Sequence, residues 1–164
     1  MKNVFFARHA KSSWADMSLS DFDRPLNKRG LRDAPFMATL LKTKTAKMDL
    51  IISSPAQRAF TTSTFFAKAF GINTKDIQLE PSLYHPSPED VFKVIKTLDN
   101  TIETVLIFGH NPAWTTIANT FSDEYIANIP TIGIFKITSA IDSWNEFSDK
   151  NGKFSEFYYP KMYF

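Results

Sequence analysis

The sequence predicts a three-layer α/β/α sandwich with a mostly parallel central sheet and a late antiparallel hairpin. Two observations lead to this fold class. Short, continuous apolar segments alternate with longer amphipathic ones through most of the chain, a pattern typical of strands separated by helices. Towards the end the alternation stops, and strand-like segments follow one another without helices. At 164 residues the chain can bury one substantial core, so we expect a single domain over residues 1–164.

Three apolar segments have the composition of strands that are buried on both faces of a sheet. They cover residues 3–7, 49–53 and 104–108. A shorter segment at 77–79 is a further candidate strand, and the Pro-rich sequence after it predicts a loop. Residues 11–25 are polar and without periodicity, so we expect a loop there as well.

Helices are predicted between these strands, over residues 28–43, 55–70, 87–98 and 112–121. Asn27 is a suitable N-cap for the first helix and Ser87 for the third. Pro55 suits the first turn of the second helix, which Gly71 ends. Pro35 lies inside the first helix, where it predicts a kink or a later start.

The last part of the chain predicts three strands, over residues 132–138, 143–147 and 153–159. The last two are expected to be joined around residues 149–152, because Asn151 followed by Gly152 is a strong signal for a tight hairpin turn.

Composition excludes several classes of function. The net charge of +2 is too small to indicate a nucleic-acid-binding protein, and no dense basic stripe is present. The absence of cysteine excludes disulfides, cysteine-ligated metals and cysteine nucleophiles. No secretory signal is recognisable, and no apolar run reaches the roughly 18 residues that a membrane span needs. We therefore expect a cytoplasmic protein that does not enter a membrane.

The ends of three predicted strands carry arginine and histidine side chains. Arg8 and His9 come directly after the first strand. Arg58 lies one turn into the helix after the second strand, and His110 follows the third. Each residue alone would more often be structural, but ligands of open parallel sheets bind outside the carboxyl ends of the strands. We therefore expect all of them to share one site.

Such a site suits a phosphoryl group. Guanidinium groups bind phosphate oxygens in bidentate geometry, and each charge-assisted hydrogen bond contributes about 1.5–3 kcal/mol. Nearby arginines disfavour an imidazolium, so His9 stays neutral and nucleophilic near pH 7. His9 can then attack phosphorus while His110 donates a hydrogen bond to the developing charge. Three histidines without a matching carboxylate cluster do not predict a metal site, and no cofactor is expected.

Five motifs occur in order along the chain: RHAKSSW at residues 8–14, DFDRPLNKRG at 21–30, SSPAQRA at 53–59, LYH at 83–85 and GHNP at 109–112. Together they resemble the histidine phosphatase superfamily, whose fold is phosphoglycerate mutase-like, and more narrowly its SixA-type phosphohistidine phosphatases. The resemblance implies that His9 is the nucleophile that becomes phosphorylated. It implies that Arg8, Arg58 and His110 form the phosphate pocket. Lys11 and Ser12 either contact the substrate or belong to a solvated loop.

The pattern departs from the superfamily at one position. Many members place an acidic residue where this chain has His85, and that residue protonates the leaving oxygen. His85, the nearby Glu80 or no residue at all could act as the general acid here. Residues 21–30 are interpreted as shaping the loop and the helix entry.

The departure bears on the substrate. An alkoxide leaving group benefits from a positioned acid, whereas imidazole leaves more easily because its conjugate acid has a pKa of about 6.5. The chain is also short between Arg58 and His110, where larger relatives insert a cap. The leading hypothesis is hydrolysis of phosphohistidine on a partner protein. A small-molecule phosphomonoesterase and a phospho-ligand-binding module without turnover are the alternatives.

Overall fold

The computed structural model describes residues 1–164 and contains six strands and four α-helices. The strands are β1 (Lys2–Arg8), β2 (Leu50–Ser53), β3 (Gln78–Leu79), β4 (Thr104–Gly109), β5 (Ile134–Ser139) and β6 (Gly152–Tyr158). The helices are α1 (Lys28–Lys44), α2 (Gln57–Phe70), α3 (Pro88–Lys96) and α4 (Ala113–Phe121). None of these helices combines the length and the apolar character that crossing a membrane requires.

All six strands belong to one sheet with the order β3-β2-β4-β1-β5-β6. The first four strands of that order pair in parallel, and β5 and β6 add an antiparallel hairpin at the β1 edge. Arg8 lies opposite Gly109 in the sheet, and Ser53 lies opposite Phe108. The carboxyl ends of β1, β2 and β4 therefore meet at one edge, as the sequence predicted.

Helices cover both faces of the sheet, and adjacent residues of β1 show this alternation. Phe5 belongs to the core under α1 and α2, together with Met37 and Phe66. Phe6 belongs to the opposite core under α3 and α4, where its ring packs edge-on against Trp114 at a centroid distance of 5.7 Å. The predicted three-layer α/β/α sandwich is thus confirmed.

The helix ends follow the predicted signals closely. The Asn27 side chain accepts a hydrogen bond from the backbone N–H of Gly30, and Ser87 forms a capping box with Asp90. Gly71 ends α2 in the left-handed conformation, with φ of 69°. Pro35 does not delay α1, which begins at Lys28 and runs through the proline.

The predicted strand over residues 143–147 is wrong. The segment Trp144–Glu146 forms a short 3₁₀ helix, because the Trp144 ring is buried and its Nε1 donates a hydrogen bond to the Ile102 carbonyl at 2.8 Å. The hairpin instead pairs β5 with β6. Asn151 does not sit in a two-residue turn. Its side chain accepts a hydrogen bond from the Ser148 backbone N–H at 3.0 Å and so stabilises the long connection between the two strands.

Candidate active site

A pocket of about 230 Å³ opens at the edge where β1, β2 and β4 end. The structure brings the four predicted residues together there, and the rings of His9 and His110 lie 5.2 Å apart. The pocket is lined by Arg8, His9, Lys11, Ser12, Trp14, Arg24, Arg58, His85, His110, Asn111 and Thr131.

His9 is buried, and its ring is held in one tautomer. Nδ1 lies 2.7 Å from the carbonyl oxygen of Ala10. A carbonyl can only accept, so Nδ1 is the atom that bears the proton, and Nε2 of the neutral ring keeps its lone pair. Burial lowers the pKa of His9 well below its usual value, and the nearby His110, Arg58 and Arg8 lower it further, against the bond to Ala10. His9 is therefore neutral at pH 7.

The backbone after His9 is tied to α2. The N–H of Ala10 donates to the Thr62 hydroxyl at 3.0 Å, and that hydroxyl donates in turn to the Arg58 carbonyl at 2.7 Å. Thr62 is fully buried. One hydroxyl thus fixes the segment that presents His9 relative to the helix that presents Arg58.

His110 is buried as well, but its partner is different. Its Nε2 lies 2.8 Å from the hydroxyl oxygen of Ser54, which follows β2. Burial and the charge of Arg58, among other groups, lower the pKa of His110 to about 3, so this ring is also neutral at pH 7. Its Nδ1 has no protein partner. Because a hydroxyl can donate or accept, Ser54 does not restrict His110 to one tautomer.

Arg58 is positioned by Asp21. Its Nη1 donates to the Asp21 carbonyl at 2.6 Å, and its Nη2 donates to the Asp21 carboxylate at 3.1 Å. The same carboxylate accepts from the Tyr84 hydroxyl at 2.6 Å and from Arg24 Nε at 3.2 Å. The bond from Tyr84 is the main reason that the pKa of Asp21 lies well below its usual value. We call these four residues the Asp21 cluster.

The sequence pattern does not predict the Asp21 cluster, because residues 21–30 are interpreted from it only as shaping the loop and the helix entry. The available signal was the acidic residue inside the DFDRP motif, three positions before Arg24. Nothing local links Asp21 to Arg58, which lies 37 residues away in sequence.

Arg8 has no acidic partner. Its Nη1 donates to the carbonyl of Ile129 at 3.0 Å, and the side chain forms no salt bridge. Burial lowers the pKa of Arg8, and the charge of Arg58 lowers it further. None of the eleven residues that line the pocket is Asp or Glu. The site is therefore strongly positive and suited to an anion.

The loop after β1 closes another side of the pocket. Arg24 Nη1 donates to the Ser12 hydroxyl at 2.8 Å, and the Arg24 guanidinium lies 3.5 Å from the centre of the Trp14 ring. A Cβ atom on Gly30 would lie 2.2 Å from the Lys11 carbonyl oxygen, so only glycine permits this close approach. Lys11 is half-buried and Ser12 is buried, which differs from a fully solvated loop.

The two candidate general acids occupy different places. His85 lines the pocket, is exposed, and adopts the left-handed backbone region with φ of 56°. The Glu80 carboxylate accepts a hydrogen bond from Gln78 at 2.8 Å and is not part of the pocket. No group of three His, Asp or Glu side chains in the structure is arranged to hold a metal ion.

Similar proteins also indicate a phosphatase. The family model of the histidine phosphatase superfamily (branch 1) matches residues 4–84. An uncharacterised chloroplast protein of Arabidopsis thaliana is 31% identical, over 88% of this chain and 70% of that protein. An uncharacterised protein of Mycobacterium leprae is 27% identical, over 94% of this chain and 99% of that protein.

Solved structures with the same fold match nearly the whole chain. A protein of Agrobacterium tumefaciens designated SixA superposes with a TM-score of 0.81 at 27% identity, covering 97% of this chain and 98% of that one. The protein histidine phosphatase SixA in complex with tungstate gives a TM-score of 0.78 at 23% identity, over 94% of this chain and 95% of that one. The chain therefore belongs to the histidine phosphatase superfamily as a SixA-type member, and is a phosphatase with a histidine nucleophile.

Proposed function

We propose that this protein hydrolyses phosphohistidine on a partner protein, with His9 as the nucleophile. One observation supports this most: a neutral His9 with a free Nε2 faces a positive pocket that contains no carboxylate. The partially buried Arg8 has no counter-ion, and a bound phosphoryl group would supply one.

In the first step, the Nε2 lone pair of His9 attacks phosphorus, and the bond from phosphorus to the substrate imidazole breaks. Arg8 and Arg58 bind the non-bridging oxygens. His110 donates from Nδ1, the nitrogen without a protein partner, while the Ser54 hydroxyl donates to Nε2. The positive charge that forms on the His9 ring is stabilised by the Ala10 carbonyl at Nδ1.

In the second step, water attacks the phosphorylated His9, and the new P–N bond breaks. Inorganic phosphate leaves with the oxygen of that water. One proton of the water is released to solvent, which balances the proton that the substrate imidazole takes up from solvent when it leaves in the first step, and Nε2 of His9 regains its lone pair. The cycle requires no oxidant, reductant or further reactant.

Phosphohistidine suits this pocket because its leaving group does not require a dedicated general acid. Imidazole has a conjugate acid with a pKa of about 6.5, so it departs without a dedicated carboxylic acid. The pocket provides none. The 27% identical relative from Agrobacterium tumefaciens carries a provisional designation as the phosphohistidine phosphatase SixA, which is consistent with this assignment.

A second candidate function is a small-molecule phosphomonoesterase. The observation that favours it is the position of His85, whose side chain lines the pocket and could protonate an alkoxide. In that case His85 would act as the general acid and the substrate would be an ester.

The test compares wild type with His9→Ala on a phosphohistidine-bearing protein and on a panel of phosphate esters. We expect wild type to release phosphate from phosphohistidine and His9→Ala to lose at least about a thousandfold in kcat. Ester turnover alone, lost in His85→Ala, would establish the second candidate instead. Turnover of neither substrate would refute both.

A phosphoenzyme measurement locates the intermediate. Wild type quenched during turnover should hold phosphate in an acid-labile, alkali-stable bond. His9→Ala should hold none, whereas His85→Ala should still form it on phosphohistidine substrates. Labelling that persists in His9→Ala would contradict the role of His9.

A further inference from the structure

A second and larger cavity adjoins the active-site pocket and has no part in the proposed reaction. Its volume is about 330 Å³, and we call it the groove. Thr131 lines both cavities, so the two meet at this residue. The groove is otherwise formed mainly by α1 and by the chain from the end of β6 onwards.

The groove is positively charged. It contains Arg29 and Arg32, one helical turn apart on α1, and Lys161. The only acidic residue among its lining is Asp33, which is buried and lies 2.8 Å from Arg32 and 4.0 Å from Arg29. One carboxylate cannot neutralise three cations. Both arginine side chains also remain more than half exposed, so they are available to an anionic ligand.

The groove also offers aromatic surface. Phe157, Tyr159 and Phe164 line it, and the first two rings lie 5.0 Å apart. The Arg32 guanidinium lies 4.8 Å from the centre of the Phe164 ring. Cations beside aromatic rings suit a ligand that combines acidic groups with an apolar side chain, as an acidic peptide does.

The two cavities are separated by a short segment, residues 128–132, which is hydrogen-bonded to residues of the active-site pocket. Arg8 donates to the Ile129 carbonyl, and the Asn111 amide donates to the Asn128 side chain at 2.9 Å. The N–H of Ile132 donates a shared hydrogen bond to the carbonyl oxygens of Arg8 and His9, each at 3.1 Å. This segment therefore fixes the spacing between the phosphoryl pocket and the groove.

We propose that the groove binds an acidic segment of the same polypeptide that presents its phosphorylated residue to His9. This inference rests on the proposed function and adds the substrate feature that the enzyme selects. Charge complementarity is the reason for an acidic segment, and continuity through Thr131 is the reason that one polypeptide occupies both cavities.

The experiment uses two phosphohistidine peptides that differ only in three flanking residues, which are Glu in one and Gln in the other. Wild type is compared with Arg29→Gln/Lys161→Gln, which leaves the Arg32–Asp33 pair intact. The matched control is Lys68→Gln/Lys75→Gln, which removes the same charge from exposed positions outside the groove. Free phosphohistidine serves as a substrate too small to reach the groove.

We expect wild type to prefer the acidic peptide about tenfold in kcat/KM, as a few exposed charge pairs allow. The groove variant should lose most of this preference, and the control variant should retain it. All three proteins should hydrolyse free phosphohistidine equally. Raising the salt concentration should weaken the wild-type preference. Equal wild-type rates on the two peptides, or equal loss in the control variant, would overturn the proposal.

Failure of the proposed function would look different, because no protein would then hydrolyse any of these substrates. The groove is in that case tested by fluorescence anisotropy with a labelled, unphosphorylated peptide containing the three Glu residues. Binding to wild type and to the control variant, but not to the groove variant, supports the groove. Equal binding by all three proteins, or by none, refutes it.

Discussion

The active-site pocket is built from two regions that are stabilised in different ways. The strand-end group, Arg8, His9 and His110, projects from the sheet and is fixed by bonds to buried backbone and hydroxyl groups. The Asp21 cluster is assembled around a single carboxylate whose side chain is 41% exposed. Buried bonds are costly to break, whereas exposed ones are screened by water. Bonds of the strand-end group should therefore contribute more to stability, and the Asp21 cluster should mainly affect the orientation of the Arg58 side chain.

The largest effect is expected from Thr62→Val, which removes the hydroxyl that anchors the strand-end group. The near-isosteric change leaves the Ala10 N–H buried without an acceptor. We expect the free energy of unfolding to fall by up to about 3 kcal/mol in urea titrations. Thr64→Val is the matched control, because the Thr64 hydroxyl bonds only the Thr61 carbonyl of its own helix. Equal losses of unfolding free energy in the two variants would contradict the anchoring role of the Thr62 hydroxyl.

A pH series separates the two regions. The pKa of His110 falls from 6.5 to about 3 on folding, so between these values the unfolded chain binds more protons and stability decreases as pH falls. The pKa of Asp21 is lowered from 3.8, so its contribution is lost only below that pH. Between pH 7 and pH 5 the strand-end group alone should therefore respond.

Urea titrations at pH 7 and pH 5 measure this response. We expect the contribution of His110 to be about 2 kcal/mol, from 1.5 pH units at about 1.4 kcal/mol each. His110→Asn should accordingly show a smaller difference between the two pH values than wild type. A His110→Asn variant with the full wild-type difference would contradict the assignment.

The smallest effect on stability is expected from Asp21→Asn. The side chain loses its charge but keeps its size, so Arg58 and Tyr84 lose a charged acceptor at a partly exposed site. We expect about 1 kcal/mol in stability, because solvent screens the interaction, and roughly a tenfold fall in kcat/KM. Asp23→Asn is the control, since the Asp23 carboxylate is bonded to Ser20 outside the pocket. A larger loss of stability than in Thr62→Val would reverse the order of the two regions.

The strand-end group could be predicted because topology alone brings it together. Two neighbouring parallel strands end at Arg8 and Gly109 and therefore place the next residues, His9 and His110, at one edge of the sheet, whatever the loops do. The Asp21 cluster could not be predicted, because its bonds cross 37 residues to Arg58 and 63 to Tyr84 from a loop without periodicity. The strand predicted at 143–147 failed for a related reason. Trp144 is an apolar residue that tertiary packing buries outside the sheet, so its apolar character did not indicate a strand.

Ile132 has a consequence for ligands that span both cavities. It is a buried, β-branched residue with φ of 54°, a backbone conformation that costs of order 1–3 kcal/mol and persists only where its surroundings enforce it. A segment held in this way does not adjust to a ligand. A bivalent inhibitor with an oxyanion and an acidic group would therefore gain affinity through effective concentration only if its linker matched one fixed distance. Linker length, rather than the chemistry of either end, would then set its selectivity.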